Sequence, residues 1–136
     1  MMKKWIIGLG LLIGILSCSK DTEDKLYGKW QLRQVVEADG QTQTVDTVWY
    51  NFQTSLFMYL IAFPSEGPET YRNAYGFSTP QGENQLLLQL QDPQPIADFL
   101  RYTDWASAER TFTIEKLTGS ELILSSGERR YRFRKY

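Results

Sequence analysis

Short stretches in which apolar and polar residues alternate fill most of the chain beyond residue 25. A period of two residues is the pattern of β-strands, because successive side chains of a strand point to opposite faces. The pattern predicts eight strands, at residues 26–37, 44–54, 56–63, 70–78, 84–91, 109–117, 121–125 and 128–136. Turn-forming pairs such as Asp39-Gly40 and Ser126-Gly127 separate them, which predicts short antiparallel connections.

In two of these strands, the pattern also predicts which faces are buried. In the first, Trp30, Leu32 and Val36 are expected to share the buried face, which Gln34 interrupts. Residues 56–63 are apolar throughout, so this strand is predicted to be buried on both faces or to line a cavity with one of them.

Residues 92–108 depart from the strand pattern. Ile96, Phe99 and Leu100 are spaced by three and four, and Pro95 suits the first turn of a helix. We therefore predict one short helix here, with Trp105 close to the point where the chain returns to the sheet.

The first 25 residues have a different organisation. Lys3 and Lys4 precede an apolar run over residues 5–16, which is shorter than the roughly 20 residues that span a bilayer. This arrangement predicts an export signal over residues 1–17. The sequence around Cys18 resembles the lipobox of bacterial lipoproteins, which implies a cysteine that carries the lipid anchor.

Residues 18–25 are expected to form a flexible acidic tether, since residues 19–24 include no apolar side chain. Their lysine and carboxylates resemble the signal that sends Bacteroidetes lipoproteins to the outer face of the outer membrane. This resemblance implies a protein on the cell surface, and attachment to the periplasmic face is the alternative.

Composition narrows the classes of function. The chain has no histidine, and Cys18 is its single cysteine, so imidazole bases, thiolate chemistry and Cys- or His-ligated metal sites are not expected. There are 16 acidic and 15 basic residues, a balance that does not favour a nucleic-acid partner. The sequence thus predicts one domain over residues 26–136 that is not an enzyme and has neither metal nor cofactor.

Eight strands with short connections predict an all-β, up-and-down antiparallel barrel, because closure removes the exposed sheet edges. Gly28-Lys29-Trp30 resembles the G-x-W motif of lipocalins, and residues 111–134 are similar to the closing strands of lipocalin-like domains in Bacteroides lipoproteins. The resemblance implies that Gly28 and Trp30 form a structural plug at one end of the barrel. It also implies that an arginine of the last strand, Arg132 or Arg134, packs across this tryptophan. The chain departs from the family in lacking its disulfide and in placing the helix between later strands.

The lipocalin resemblance implies a small hydrophobic ligand inside the barrel. The candidate wall residues are aromatic, since such side chains combine large apolar area with polar edges: Trp49, Phe57, Tyr59, Tyr71, Tyr75 and Phe77. The alternative for each of them is ordinary core packing in a barrel filled by its own side chains.

A second hypothesis is an accessory or inhibitory subunit that binds a protein partner. Its basis is the segment 71–75 and the arginine-rich last strand, because Tyr and Arg are frequent in interface hot spots. A cavity would favour the ligand carrier, and a filled barrel with an exposed aromatic patch would favour the protein partner.

Overall fold

The computed structural model describes residues 20–136, so the predicted signal over residues 1–17 and the predicted lipidation site at Cys18 lie outside the described residues. Nine strands and two short α-helices form the described chain. We call the helical residues 20–26 α1 and the helix Ile96–Leu100 α2. The strands are β1 Gly28–Val36, β2 Thr42–Thr44, β3 Val48–Gln53, β4 Leu56–Ala62, β5 Tyr71–Gln81, β6 Gln85–Asp92, β7 Glu109–Leu117, β8 Glu121–Ser126 and β9 Arg129–Lys135. A short 3₁₀ helix at Pro64–Glu66 lies between β4 and β5.

The sheet closes on itself. Strands β3 to β9 pair in sequence order, each antiparallel to the next, while β1 pairs with both β3 and β9. The product is an eight-stranded antiparallel barrel, and β2 is an extra strand paired with the second half of β1. The fold prediction is therefore confirmed. Of the predicted strand 44–54, residues 48–53 form β3, and Thr44 is the last residue of β2.

A bulge in β1 changes which of its residues face inwards. The pairing with β9 shifts between Leu32 and Gln34, so that Val35 is buried in place of the predicted Val36. An extra residue in one strand reverses the alternation beyond it, which no period-two pattern can anticipate. The interruption at Gln34 marks this position in the sequence.

The acidic segment is more regular than predicted. Of the expected tether at 18–25, residues 20–25 are helical, and Thr22 and Leu26, four residues apart, are both buried. Residues at this spacing share one face of a helix, so α1 packs that face against the barrel. This corrects the expectation that the segment has no structure of its own.

We call the end of the barrel where α1 lies the closed end. It contains the start of β1, the β3–β4 turn and the end of β9, because Gly28 pairs with Phe52 and Trp30 with Lys135. The opposite end, which we call the mouth, receives α2 and the residues that follow it. The predicted short helix is confirmed at α2.

Candidate functional site

Aromatic rings fill the inside of the barrel. Tyr50 of β3 is at the centre of this group, with its ring 5.1 Å from that of Phe57, 4.8 Å from Tyr59 and 4.8 Å from Phe133. Edge-to-face and tilted contacts at such distances are favourable for aromatic pairs. Of the six predicted wall residues, the structure brings Phe57 and Tyr59 together here, both almost fully buried.

Tyr71, Tyr75 and Phe77, predicted to line the barrel, share one face of β5, but this is the outer face of the barrel. The inward positions of β5 have small side chains, including Ala74 opposite Tyr59 and Gly76 opposite Phe57. A Cβ atom on Gly76 would lie 1.7 Å from the carbonyl oxygen of Gln89 in the neighbouring strand. The bulky rings of β4 thus occupy the interior that the aromatic residues of β5 were predicted to line.

Trp49 also lies on the outer face. Its ring is 6.0 Å from that of Tyr136, and the Lys29 ammonium is 5.4 Å from its centre. Trp49 and Tyr50 are neighbours on one strand, so only one of them can point inwards, and Tyr50 does so. Sequence reasoning therefore missed Tyr50 as an interior residue.

The mouth is closed by residues 92–108, which contribute two further rings. Phe99 of α2 lies 5.2 Å from the Tyr59 ring. Trp105 stacks parallel to Phe57 with ring centres 6.3 Å apart, and its Nε1–H donates to the Tyr50 hydroxyl over 3.2 Å. Trp105 is therefore held both by stacking and by a buried hydrogen bond.

Asp104, next to Trp105, fastens this loop to the barrel. Its carboxylate accepts hydrogen bonds from Arg110 and Arg129, each over 2.9 Å, and from the Tyr131 hydroxyl. Arg129 also donates to Glu37 of the segment after β1 over 3.0 Å. These contacts connect the loop to β7, β9 and the end of β1.

The charges around Asp104 set its protonation. Partial burial acts to raise the pKa of the Asp104 carboxyl, but the Tyr131 hydrogen bond and the Arg110 and Arg129 guanidinium groups outweigh it and hold the pKa below its usual value. Burial is also the main cause that raises the pKa of Tyr50 and Tyr59, so both phenols stay neutral. The interior offers neutral hydroxyls and the loop offers a fixed carboxylate.

A pocket of about 430 Å³ lies outside the mouth, between α2, β5 and β6. Phe99 forms part of its wall, and the same ring contacts Tyr59 inside the barrel. Tyr75 also lines the pocket. Two cations and two anions surround it: Arg72, Arg101, Asp92 and Asp98. The pocket thus has an apolar wall and a polar rim of balanced charge.

The plug at the closed end has the predicted tryptophan but a different cation. Trp30 is fully buried and donates from Nε1 to the Leu26 carbonyl over 2.8 Å. Lys135, and neither Arg132 nor Arg134, lies across its ring, with Nζ 4.6 Å from the centre. Lys135 follows Tyr131 and Phe133 at intervals of two, so these three side chains lie on the same side of β9, and Lys135 is exposed at its end. Arg132 and Arg134 lie on the other side, which faces outwards.

The absence of a side chain at Gly28 leaves space for the Lys135 ammonium. A Cβ atom at Gly28 would lie 2.6 Å from Lys135 Nζ, and the backbone φ of 124° is one that other residues rarely adopt. The Lys135 ammonium also donates to the Tyr27 carbonyl, and burial lowers its pKa. Gly28 and Trp30 therefore act together with Lys135 in closing this end.

Within residues 20–136, no cluster of acidic side chains is arranged to hold a metal ion. Among these residues there is also no helix long and apolar enough to cross a membrane. The interior is occupied by the protein's own rings, whereas the pocket beside Phe99 has the volume and the apolar wall that suit a small molecule.

A family model described as a lipocalin-like domain matches residues 11–136. A lipocalin-like protein from Bacteroides uniformis superposes with a TM-score of 0.72 and 32% identity, over 82% of this chain and 99% of that one. An uncharacterized protein from Bacteroides eggerthii does so with a TM-score of 0.70 and 29% identity, over the same shares of the two chains. No curated protein matches the sequence.

Proposed function

This chain belongs to the family of lipocalin-like domains, and on that premise we propose that it is a lipid-anchored binding protein that holds a small hydrophobic ligand at the mouth of its barrel. The barrel fold is consistent with such binding. The proposal assigns the chain no catalytic role and no nucleic-acid partner.

The observation that carries the proposal is the position of Phe99. This ring separates the external pocket of about 430 Å³ from the buried ring of Tyr59, 5.2 Å away. Pockets for small molecules combine apolar walls with a few polar groups, and volumes from about 300 Å³ upwards are typical. A ligand with an apolar body would pack against Phe99, and its polar group would remain at the charged rim.

Phe99 and Trp105 are the two rings that a ligand would have to displace in order to enter the barrel. Both belong to the segment 93–108, which joins β6 to β7 without being part of the sheet. A ligand that moved Phe99 aside would reach Tyr59, and one that also displaced Trp105 would reach the Tyr50 hydroxyl. The barrel can thus receive a ligand larger than the external pocket only by replacing its own rings.

Attachment to the outer membrane completes the proposal. It is supported by the lipobox-like sequence that ends in Cys18 and by the short charged segment that follows it. One acyl chain gives only reversible attachment, so several chains on Cys18 would be needed for a stable anchor. The Cys18→Ala variant should remain an unlipidated precursor. If it still carried label from fatty acid, Cys18 would not be the site.

Native mass spectrometry of residues 20–136, compared with the denatured mass, tests the ligand. We expect excess mass that organic solvent extracts as a defined apolar compound, or a complex after incubation with fatty acids, sterols or haem-like probes. Phe99→Ala should weaken that complex, whereas Phe77→Ala, the same substitution on the outer face, should not. A ligand-free mass under all these conditions would contradict the carrier.

The second candidate is a protein-binding accessory subunit. It is favoured by one observation, that the interior is occupied by the protein's own rings while Tyr71 and Tyr75 are half exposed on the outer face. A cross-linker placed at Tyr75 should then join the chain to one defined cell-surface protein, and Tyr71→Ala should reduce the yield. A ligand-free barrel together with such a conjugate would favour this function over the carrier.

A further inference from the structure

Large apolar side chains are exposed around one part of the closed end of the barrel. We call these four residues the closed-end rim: Tyr27, Leu56, Phe77 and Tyr136. Leu56 pairs with Phe77 across β4 and β5, and the neighbouring Phe57–Phe52 and Phe52–Gly28 pairs continue to the start of β1. Tyr27 precedes β1, and Tyr136 donates from its backbone to the Lys29 carbonyl over 2.9 Å. The register of four strands therefore places the rim at one end.

These four side chains are large and mainly apolar, so their exposure to water is unfavourable. Their exposed fractions run from 40% for Phe77 to 71% for Tyr136. Taken together they present roughly 400 Å² of largely apolar surface, within the range of patches that mark interaction sites. A stable dimer buries about 800 Å² on each partner, so the rim alone is too small for a second copy of the chain.

The N-terminal end of the described chain lies beside the rim. Helix α1 buries Thr22 and Leu26, and its last turn is fixed by a hydrogen bond from the Tyr27 N–H to the Glu23 carbonyl over 3.2 Å. From Leu26 to Lys20 the helix extends about 9 Å, at 1.5 Å per residue. Two further residues reach Cys18, which adds about 7 Å at most.

The short distance between Leu26 and Cys18 restricts the orientation of an anchored barrel relative to the bilayer. A lipid on Cys18 would lie within roughly 20 Å of Leu26 whichever path the intervening residues take. The mouth is at the other end of strands of up to 11 residues. With a lipid on Cys18, the closed end would therefore face the bilayer, and the rim is the apolar part of that end.

We propose that the closed-end rim docks on the lipid bilayer beside the anchor and holds the barrel with its mouth directed away from the membrane. This inference rests on the lipid anchor at Cys18 of the proposed function. Leu56 and Phe77 supply apolar area for the acyl boundary, and Tyr27 and Tyr136 suit the headgroup region, where tyrosine is enriched. Lys29, whose ammonium lies 4.9 Å from the Tyr136 ring, is placed to meet lipid phosphate.

The test uses the full lipidated protein in vesicles of phosphatidylethanolamine and phosphatidylglycerol, with one nitroxide label per variant. The label is attached at Ser55→Cys in the β3–β4 turn or at Ser65→Cys near the mouth, both exposed positions. We expect the label at 55 to be reached by oxygen and shielded from an aqueous nickel complex, and the label at 65 to be fully accessible to nickel.

Paired variants show whether the rim itself makes the contact. Leu56→Ser with Phe77→Ser should return the label at 55 to water, while Tyr71→Ser with Tyr75→Ser, on the same face but nearer the mouth, should leave it shielded. Equal nickel access at 55 and 65 in protein with a lipidated Cys18 would overturn the docking and leave the anchor intact.

Two other results would also overturn the inference, and they can be told apart from loss of docking. Strong spin coupling between labels at 55 that persisted on dilution with lipid would assign the rim to a second copy and overturn the inference. A mass that showed unlipidated Cys18 would refute the anchor, and with it this orientation.

Discussion

At the scale of single residues, the plug at the closed end shows what a short motif can specify. The Gly28-Lys29-Trp30 motif placed the buried tryptophan correctly, but the expected arginine is replaced by Lys135. Arg132 and Arg134 alternate with Tyr131 and Phe133, which are buried, so both arginines face outwards. The alternation of inward and outward residues along β9 thus determines that Lys135 lies over Trp30. The resemblance to lipocalins does not specify which residues of β9 face inwards.

The hydrogen bond of Trp30 makes a measurable contribution. Trp30→Phe removes the donor to the Leu26 carbonyl, which is then buried without its partner. We expect the free energy of unfolding to fall by about 2 kcal/mol, from the lost hydrogen bond and the smaller ring. Urea denaturation followed by circular dichroism measures it.

The matched control is Trp49→Phe. The Trp49 Nε1–H has no hydrogen-bond partner among the described residues, so the same substitution removes no such bond. A loss smaller than about 1 kcal/mol is expected. Equal losses at the two positions would show that the bond to Leu26 is unimportant.

At the scale of elements, β4 and β5 divide the interior between large and small side chains. Phe57 and Tyr59 face inwards and are paired with Gly76 and Ala74, which leaves the aromatic residues of β5 outside. The small residues Ala74, Gly76 and Ser78 alternate in the sequence and are the signal that could have identified the inward face. The prediction that the aromatic residues of this strand are wall residues instead placed the wrong face of β5 inside.

The loop 92–108 depends on Asp104. Because the pKa of Asp104 is lower in the folded protein, its stabilising effect is complete above the unfolded value, near pH 4. It is lost as the pH falls through the lower folded-state pKa. At pH 7, Asp104→Asn should lower the free energy of unfolding by about 1–2 kcal/mol, since the charged hydrogen bonds are only partly buried.

Denaturation at pH 7 and at pH 2.5 checks this prediction. The difference between wild type and Asp104→Asn should be largest at neutral pH and should shrink in acid. Glu128→Gln, which removes a charge from an exposed turn, serves as control and should show a smaller change at pH 7. A deficit of Asp104→Asn that is constant from pH 7 to 2.5 would refute the electrostatic explanation.

At the scale of the whole molecule, the barrel was predictable and its contents were not. Strand periodicity and turn residues are local, so eight strands and a short helix follow from the sequence. Which rings meet inside depends on bulges, as at Leu32/Gln34, and on the volume supplied by neighbouring strands. Trp105, which lies outside any strand, becomes an interior residue only through the closed barrel.

Removal of the Trp105 ring tests how the interior is filled. Trp105→Ala should lower the free energy of unfolding by about 3–5 kcal/mol and leave a cavity beside Phe57. Free indole should then bind and raise the melting temperature of this variant, with no effect on the wild type. Trp49→Ala, on the outer face, should show no response to indole; a similar response there would disprove a specific cavity.

Closure between β1 and β9 also governs how the chain reaches its native state. Residues that pair there, such as Gln31 and Arg134, are about a hundred positions apart in the chain. Contacts of such long sequence separation slow folding, because the entropy of loop closure must be overcome first. Until β9 has been synthesised and docked, β1 and β8 each lack a partner on the side that later pairs with β9. Unpaired strand edges promote association between chains, so the nascent chain is most prone to aggregate at this stage.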